Sequence, residues 1–203
     1  MKVLGITGNI AAGKSIIAAM LAERGAHGID ADAVVHKLYQ RGTLVFEAVT
    51  ARFGESVAGT EAIDRAALAA IVFSDREAML ELERIVHPAV GMAIRERLES
   101  RPPAKPAVIE AIRLVEGVSA DFVDALWIVT APRDEQIARL AGQRGLDRAG
   151  AEQRLDAQTD PAEKERAFKE RRPGVPVNYI VNSGSVEDLR SVVDSAWRAF
   201  LKG

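Results

Sequence analysis

Apolar residues recur along this chain in two alternating rhythms. Short, nearly unbroken apolar runs alternate with stretches in which apolar positions return every three or four residues. Lys2-Val3-Leu4-Gly5-Ile6-Thr7 is the first run and reads as a buried parallel strand. Ile16, Ile17, Met20 and Leu21 follow at helical spacing. Ala26 to Ala31 predicts a short second strand that ends in acidic residues, and Ala107 to Ile112 a third, introduced by the loop Arg101-Pro102-Pro103-Ala104-Lys105-Pro106. Asp124 to Thr130, centred on Leu126-Trp127-Ile128-Val129, predicts a fourth, and Asn178 to Asn182 a fifth. Strands separated by helical stretches imply an α/β fold: a five-stranded parallel sheet flanked by helices, with right-handed crossovers. Ligands of such sheets collect at the carboxyl ends of the strands.

Residues 33–100 carry no strand pattern. Val34, Val35, Leu38 and Tyr39 predict one helix, and Leu44, Val45, Val49 and Phe53 another that stops at Gly54. Asp64-Arg65 opens a third ahead of Leu68, Ile71, Val72 and Phe73. A long one follows through Met79, Leu80, Leu82, Ile85 and Val86, which Pro88 is expected to kink or restart. A crossover of this length far exceeds the dozen or so residues that a parallel connection requires, so 33–100 is expected to form a helical subdomain for a second substrate. Residues 133–172 are rich in charge, with Arg133, Arg139, Arg144, Arg148, Arg154, Arg166, Arg171 and Arg172 among acids. They read either as a solvated helical face or as a lid that brings arginines over a transferring phosphate. On this reading 1–32, 101–132 and 177–203 form the nucleotide-binding core of a single domain.

The chemistry is announced by Gly8-Asn9-Ile10-Ala11-Ala12-Gly13-Lys14-Ser15, which fits G-x-x-x-x-G-K-[ST] between a strand and a helix. Glycines let such a loop curl so that its N–H groups face phosphate oxygens, and the helix adds the positive end of its dipole. Lys14 is expected in a solvated loop, meeting the β- and γ-phosphates of ATP, and the Ser15 hydroxyl is expected to hold Mg²⁺.

The chain has 203 residues and a formal net charge of −2, so no global basic field argues for nucleic acid. It has no cysteine, which excludes thiolate metal sites and cysteine nucleophiles. His27, His36 and His87 lack metal-ligand spacing. With no signal-peptide pattern and no apolar run near the ~20 residues that span a bilayer, a soluble cytoplasmic protein is expected. Its oligomeric state stays open.

A phosphate loop leaves three readings. A GTP switch is expected to carry N-K-x-D, and the chain has no Asn-Lys pair. Asp147-Arg148-Ala149-Gly150 fits D-x-x-G, but lies in a charged helical stretch and not at a strand end. A motor or transporter ATPase is expected to end a strand in an acidic metal ligand, whereas the fourth strand runs into Thr130-Ala131-Pro132. A small-molecule kinase needs an acceptor site, a base and a lid. The helical insertion, Asp30-Ala31-Asp32 and the arginine-rich stretch offer them. In an extended turn Asp30 and Asp32 would point the same way, so either suits as base.

In this order, Asp30-Ala31-Asp32 with Val34-Val35-His36, Ile63-Asp64-Arg65-Ala66-Ala67-Leu68, Ile85-Val86-His87-Pro88, Ile109 to Glu116, Gln136 with Arg139 and Leu140, Arg144-Gly145-Leu146, Arg154-Leu155 with Ala157-Gln158, and Asn182-Ser183-Gly184-Ser185 resemble the dephospho-CoA kinase family over nearly the whole chain. The resemblance implies a P-loop NTPase fold and transfer of the ATP γ-phosphoryl to the ribose 3′-hydroxyl of dephospho-CoA, giving CoA and ADP. It implies Asp32 as the base, Lys14, Arg139 and Arg144 as catalytic charges, and Gly8 to Ile16 with Asn182 around the nucleotide. His87, Glu110, Arg113, Leu114 and Glu116 fall with Asp32 on the acceptor side. Another small P-loop kinase, or an inactive nucleotide-binding relative, is the alternative. The chain departs from the family at Ala11, where a glycine usually stands; a positive φ is costly there, so the loop is expected not to need one. Ile16 replaces a common Thr and is expected to face the core. Arg113 replaces a frequent Lys, which keeps the charge and changes the hydrogen-bond geometry.

Overall fold

The computed structural model describes residues 2–102, 104–144 and 146–203, without the side chains of Gln143 and Arg144. Pro103 of the proline loop and Gly145 of the lid motif lie outside the described residues. In chain order the elements are β1 (Val3–Gly8), α1 (Lys14–Glu23), β2 (His27–Asp30), α2 (Ala31–Leu38), α3 (Leu44–Phe53), α4 (Arg65–Val72) and α5 (Arg76–Ser100). Then come β3 (Ala107–Glu110), β4 (Ala125–Thr130), α6 (Arg133–Arg144), α7 (Arg148–Asp156), α8 (Pro161–Arg171), β5 (Val177–Val181) and α9 (Val186–Lys202).

Two compact units result: Met1–Asp30 with Arg101–Gly203, and Ala31–Ser100. The first holds a five-stranded sheet in the order β2-β3-β1-β4-β5, every neighbouring pair parallel. The apolar runs of β1, β3 and β4 are buried along nearly their whole length, as in a sheet covered on both faces, whereas the edge strands β2 and β5 are partly exposed. On one face Leu4, Ile6, Val108, Trp127, Val129 and Ile180 meet Ile17, Met20 and Leu21 of α1 and Leu189, Val193 and Trp197 of α9. Trp127 and Trp197 meet edge to face, ring centroids 6.5 Å apart. On the other face β1 approaches its neighbours so closely that a methyl at Gly5 would stand 3.0 Å from Val123 and 3.3 Å from Leu114. Helix α9 opens with a capping box between Ser185 and Asp188.

The second unit is helical. Thr43 caps α3 by accepting from the Phe46 amide, and Asp64 caps α4 by accepting from Ala66 and Ala67. Helices α2, α3 and α4 all pack on α5. The expected restart at Pro88 does not occur: α5 is a single element that contains it. Proline removes a hydrogen bond at a cost of about 3 kcal/mol in a helix interior. Val86, Val90, Ile94 and Leu98 continue one buried stripe across the position, and each such side chain contributes roughly 1.5–3 kcal/mol when buried. Packing outweighs the local defect. The expected extended turn at Asp30-Ala31-Asp32 is also absent, because β2 ends at Asp30 and α2 begins at Ala31. Asp32 thus lies in the first turn of a helix. Among the described residues no helix is long and apolar enough to cross a membrane.

Candidate active site

The loop between β1 and α1 stands at the carboxyl edge of the sheet, and steric limits fix both of its ends. Gly8 has φ 151°, and a Cβ on it would lie 2.2 Å from the Val129 carbonyl oxygen. Gly13 has φ 101°, and a Cβ there would lie 2.1 Å from the Asn182 side-chain nitrogen. Both positions demand glycine. Between them Ala12 N donates to Asn9 O at 3.2 Å, closing a turn with Ala11 as its third residue. Ala11 has φ 58°. The expectation of a loop without positive φ therefore fails: the turn takes a left-handed residue although its side chain is a methyl. The strain is about 1–2 kcal/mol, and something must hold it in place.

Three successive loop carbonyls are each engaged by a different side chain. Gln136 Nε2 donates to Ile10 O at 2.8 Å, Arg139 Nη1 to Ala11 O at 3.1 Å, and Asn182 Nδ2 to Ala12 O at 2.8 Å. From the other side the Ile10 amide donates to Gln158 Oε1 at 2.7 Å. The Ile10 side chain sits in a small apolar cluster with Ile137, Leu140, Ala151 and Leu155. Gln136 and Gln158 were visible in the sequence only as family matches in a charge-rich stretch; their burial against the loop had no signal there.

Lys14 departs from its expected solvated setting. It is only 8% exposed, and Nζ donates to Gly8 O at 2.9 Å and Asn9 O at 3.2 Å. The ammonium thus braces the loop as well as charging it. Ser15 is exposed at the head of α1, its hydroxyl donating to Glu110 Oε1 at 3.0 Å. Glu110 ends β3 in register with Ile6 on one side and Asp30 on the other. A hydroxyl and a carboxylate so placed are hard oxygen ligands of the kind Mg²⁺ takes beside phosphate oxygens and water. Among the described residues no cluster of three or more His, Cys, Asp or Glu could hold a metal by itself.

The remaining expected residues separate. Leu114 is fully buried, packed under Gly5 near Val123 and Leu126; its apolar side chain fills the space that the glycine in β1 leaves. Arg113 beside it is exposed. Glu116 faces the buried ammonium of Lys164 at 3.8 Å, and Lys164 donates to Ile112 O at 3.0 Å. Ile16 is 46% exposed, against the expectation that it faces the core. The buried stripe of α1 is Lys14, Ile17, Met20 and Leu21, so the helical period turns Ile16 outward. Asp32 and half-buried His87 belong to the helical unit, Asp32 exposed in α2 and His87 within α5. The side chain of Arg144 lies outside the described residues.

The arginine-rich stretch also divides. Arg171 grips Asp121 through two nitrogens at 3.0 and 2.7 Å and donates to Val115 O and Gly117 O. Arg172 donates to Ala120 O and Val123 O. These two lock the end of α8 to the sheet unit. Arg133 pairs with Asp156, and Arg148 with Asp134 and Glu152, on solvated surfaces. Asp147 caps α7 by accepting from Gly150 N at 2.8 Å, so its D-x-x-G is a helix start. In α8, hydrogen bonds from Lys169 and then Tyr179 hold the Glu165 carboxyl below its usual range.

The family model described as Dephospho-CoA kinase matches residues 2–170. The chain belongs to the dephospho-CoA kinase family. A dephospho-CoA kinase of Symbiobacterium thermophilum is 41% identical over 206 residues, covering 100% of this chain and 83% of the relative. A solved protein of Thermus thermophilus shares the fold with a TM-score of 0.76 at 34% identity, covering 98% of this chain and 97% of its own. The dephospho-CoA kinase of Campylobacter jejuni aligns with a TM-score of 0.62 at 25% identity, over 100% of this chain and 99% of its own. The dephospho-CoA kinase family thus supplies the frame in which the loop, Ser15 and Glu110 are to be understood.

Proposed function

We propose that this chain phosphorylates dephospho-CoA, moving the γ-phosphoryl of ATP to the ribose 3′-hydroxyl and releasing CoA and ADP, the last step of coenzyme A biosynthesis. The observation that carries the reading is the phosphate loop of a dephospho-CoA kinase chain, built with Ser15 Oγ 3.0 Å from Glu110 Oε1. Phosphoryl transfer asks little covalent chemistry of a protein; catalysis is positioning and charge stabilisation. The amides at the head of α1 have no intrahelical partners and suit phosphate oxygens. Lys14 brings a fixed positive charge to oxygens on which negative charge builds. Ser15 and Glu110 would hold Mg²⁺, which when bound offsets phosphate charge and orients the oxygens. Arg139 places its charge behind the loop while supporting Ala11, and Arg144 is the family's choice for a second cation from the lid. Asp32 accepts the proton of the ribose hydroxyl. The net charge of −2 suits a small-molecule enzyme of the cytoplasm without a nucleic-acid partner.

ADP release measured with dephospho-CoA, with a panel of nucleosides and with no acceptor tests the reading. Turnover restricted to dephospho-CoA is expected. Preference for a nucleoside overturns the acceptor assignment, and nucleotide binding without any turnover points to an inactive relative.

The helical unit, within 33–100, is proposed to bind the acceptor, and 133–172 to act as the lid. Dephospho-CoA is then expected to slow amide hydrogen exchange in 33–100, whereas an ATP analogue slows it in 8–16 and the arginine-rich stretch. Protection by dephospho-CoA confined to the sheet unit would remove this division of labour.

A further inference from the structure

Ala11 is the one non-glycine residue with positive φ among the described residues, and it lies in the middle of the phosphate loop. Alanine left to itself prefers negative φ. The residue before it is the most thoroughly held in the loop. The Ile10 peptide is gripped at both ends: its carbonyl accepts from Gln136 at 2.8 Å and its amide donates to Gln158 at 2.7 Å. Gln136 is buried. The Ile10 side chain is seated among Ile137, Leu140, Ala151 and Leu155 of α6 and α7; Gln136 lies in the first turn of α6 and Gln158 just past the end of α7. Backbone and side chain of one residue are thus held by one stretch of chain.

We infer that Gln136 and Gln158 are positioning residues for ATP, clamping the Ile10 peptide so that Ala11 keeps the left-handed conformation that a glycine would adopt unaided. The inference rests on the reading of this loop as the ATP site. With Ile10 pinned, the turn that Ala12 N closes on Asn9 O holds Ala11 at φ 58°, and Arg139 meets the Ala11 carbonyl in that conformation. The clamp turns the carbonyls of Ile10 and Ala11 toward side-chain donors, which leaves the concave side of the loop to amides. Release of either end lets the alanine relax toward negative φ, and the relaxed loop no longer fits phosphate. A glycine at position 11 carries no such preference, so it makes the clamp dispensable.

The test is a double-mutant cycle with Gln136→Leu, which is apolar and lacks the donor, and Ala11→Gly. ATP affinity is read by calorimetry without acceptor, and kcat and KM are read for each substrate. Gln136→Leu is expected to weaken ATP binding and raise the KM for ATP about tenfold or more, the usual consequence of a lost buried hydrogen bond. The KM for dephospho-CoA should stay within about twofold. The double variant should bind ATP within about threefold of Ala11→Gly, whatever the single glycine change does to affinity by itself. Equal losses in both backgrounds overturn the proposal, since Gln136 would then act independently of the alanine. So does a Gln136→Leu protein that binds ATP normally. Where Gln136→Leu fails to fold, Gln158→Leu in the two backgrounds repeats the cycle from the other end of the peptide; failure of both to fold even with glycine at 11 assigns the glutamines to the fold and overturns the proposal. A parent protein that binds no ATP overturns the site reading, and one that binds ATP but turns over no dephospho-CoA overturns only the acceptor.

Discussion

Lys14→Ala is expected to lower turnover with dephospho-CoA by about 10²–10³-fold, the range for loss of one preorganised charge at a transition state. The structure adds a second consequence. Nζ donates to the Gly8 and Asn9 carbonyls, and the side chain is buried. Alanine leaves both acceptors without this donor, and a lost buried hydrogen bond costs about 1–3 kcal/mol. A modest fall in melting temperature should therefore accompany the loss of activity. Lys14→Arg keeps the charge but not the compact ammonium that fits between two carbonyls, so it should recover only part of the rate. Thermal melting and steady-state rates on the same preparations separate the two effects. An alanine variant that melts early yet turns over near normally would make Lys14 a loop brace without a catalytic role.

The sheet was legible because a strand covered on both faces must be apolar throughout, and Leu126-Trp127-Ile128-Val129 has no other soluble use. The helical unit was legible for the complementary reason: Val34, Val35, Leu38 and Tyr39, and later Met79, Leu80, Leu82, Ile85 and Val86, return at helical spacing, and in the structure the stripe goes on past Pro88 through Val90, Ile94 and Leu98. The restart offered at the proline was wrong, since its local cost is visible in sequence while the packing that offsets it is tertiary. Ile16 misled in the same way. Two isoleucines stand side by side, and only the helix phase, set by Lys14, Ile17 and Leu21, decides that Ile17 goes in and Ile16 out. Leu114 lies in a family stretch at the strand end, yet whether it faces ligand or core depends on the empty space at Gly5.

Within the site, the residues that chemistry requires were legible and those that geometry requires were not. Lys14 and Ser15 belong to a motif whose spacing follows from phosphate binding. Ala11 argued against the conformation it in fact adopts, because local preference is all a sequence shows of one residue. What overrides that preference is spread over Gln136, Arg139, Gln158 and Asn182, 126 to 170 positions from the loop residues they hold. Three of the four lie in a segment where polar residues are the background. No local pattern distinguishes a glutamine aimed at a buried peptide from one in water.

Asp32→Asn is expected to leave the affinities for ATP and dephospho-CoA within a few-fold while lowering the single-turnover rate at least ~100-fold. A neutral ribose hydroxyl is a poor nucleophile, and a carboxylate within hydrogen-bond reach both accepts its proton and aims its oxygen at phosphorus. Asparagine preserves size and can still hydrogen-bond the hydroxyl, but it cannot take the proton at neutral pH, so binding and chemistry part. The two aspartates stand in different settings. Asp30 ends β2 beside Glu110 in the sheet register, whereas Asp32 is exposed in the first turn of α2, in the helical unit proposed to hold the acceptor. A carboxylate there also favours the helix electrostatically, by about 0.3–1 kcal/mol, so a small drop in melting temperature is expected whatever its catalytic part. The decisive readout is the single-turnover rate of Asp32→Asn against that of Asp30→Asn. A large loss in the first with a smaller one in the second assigns the base to Asp32. An unchanged rate with lowered melting temperature in Asp32→Asn would leave it a helix-supporting residue, and a loss found only in Asp30→Asn would move the base to the strand end beside Glu110.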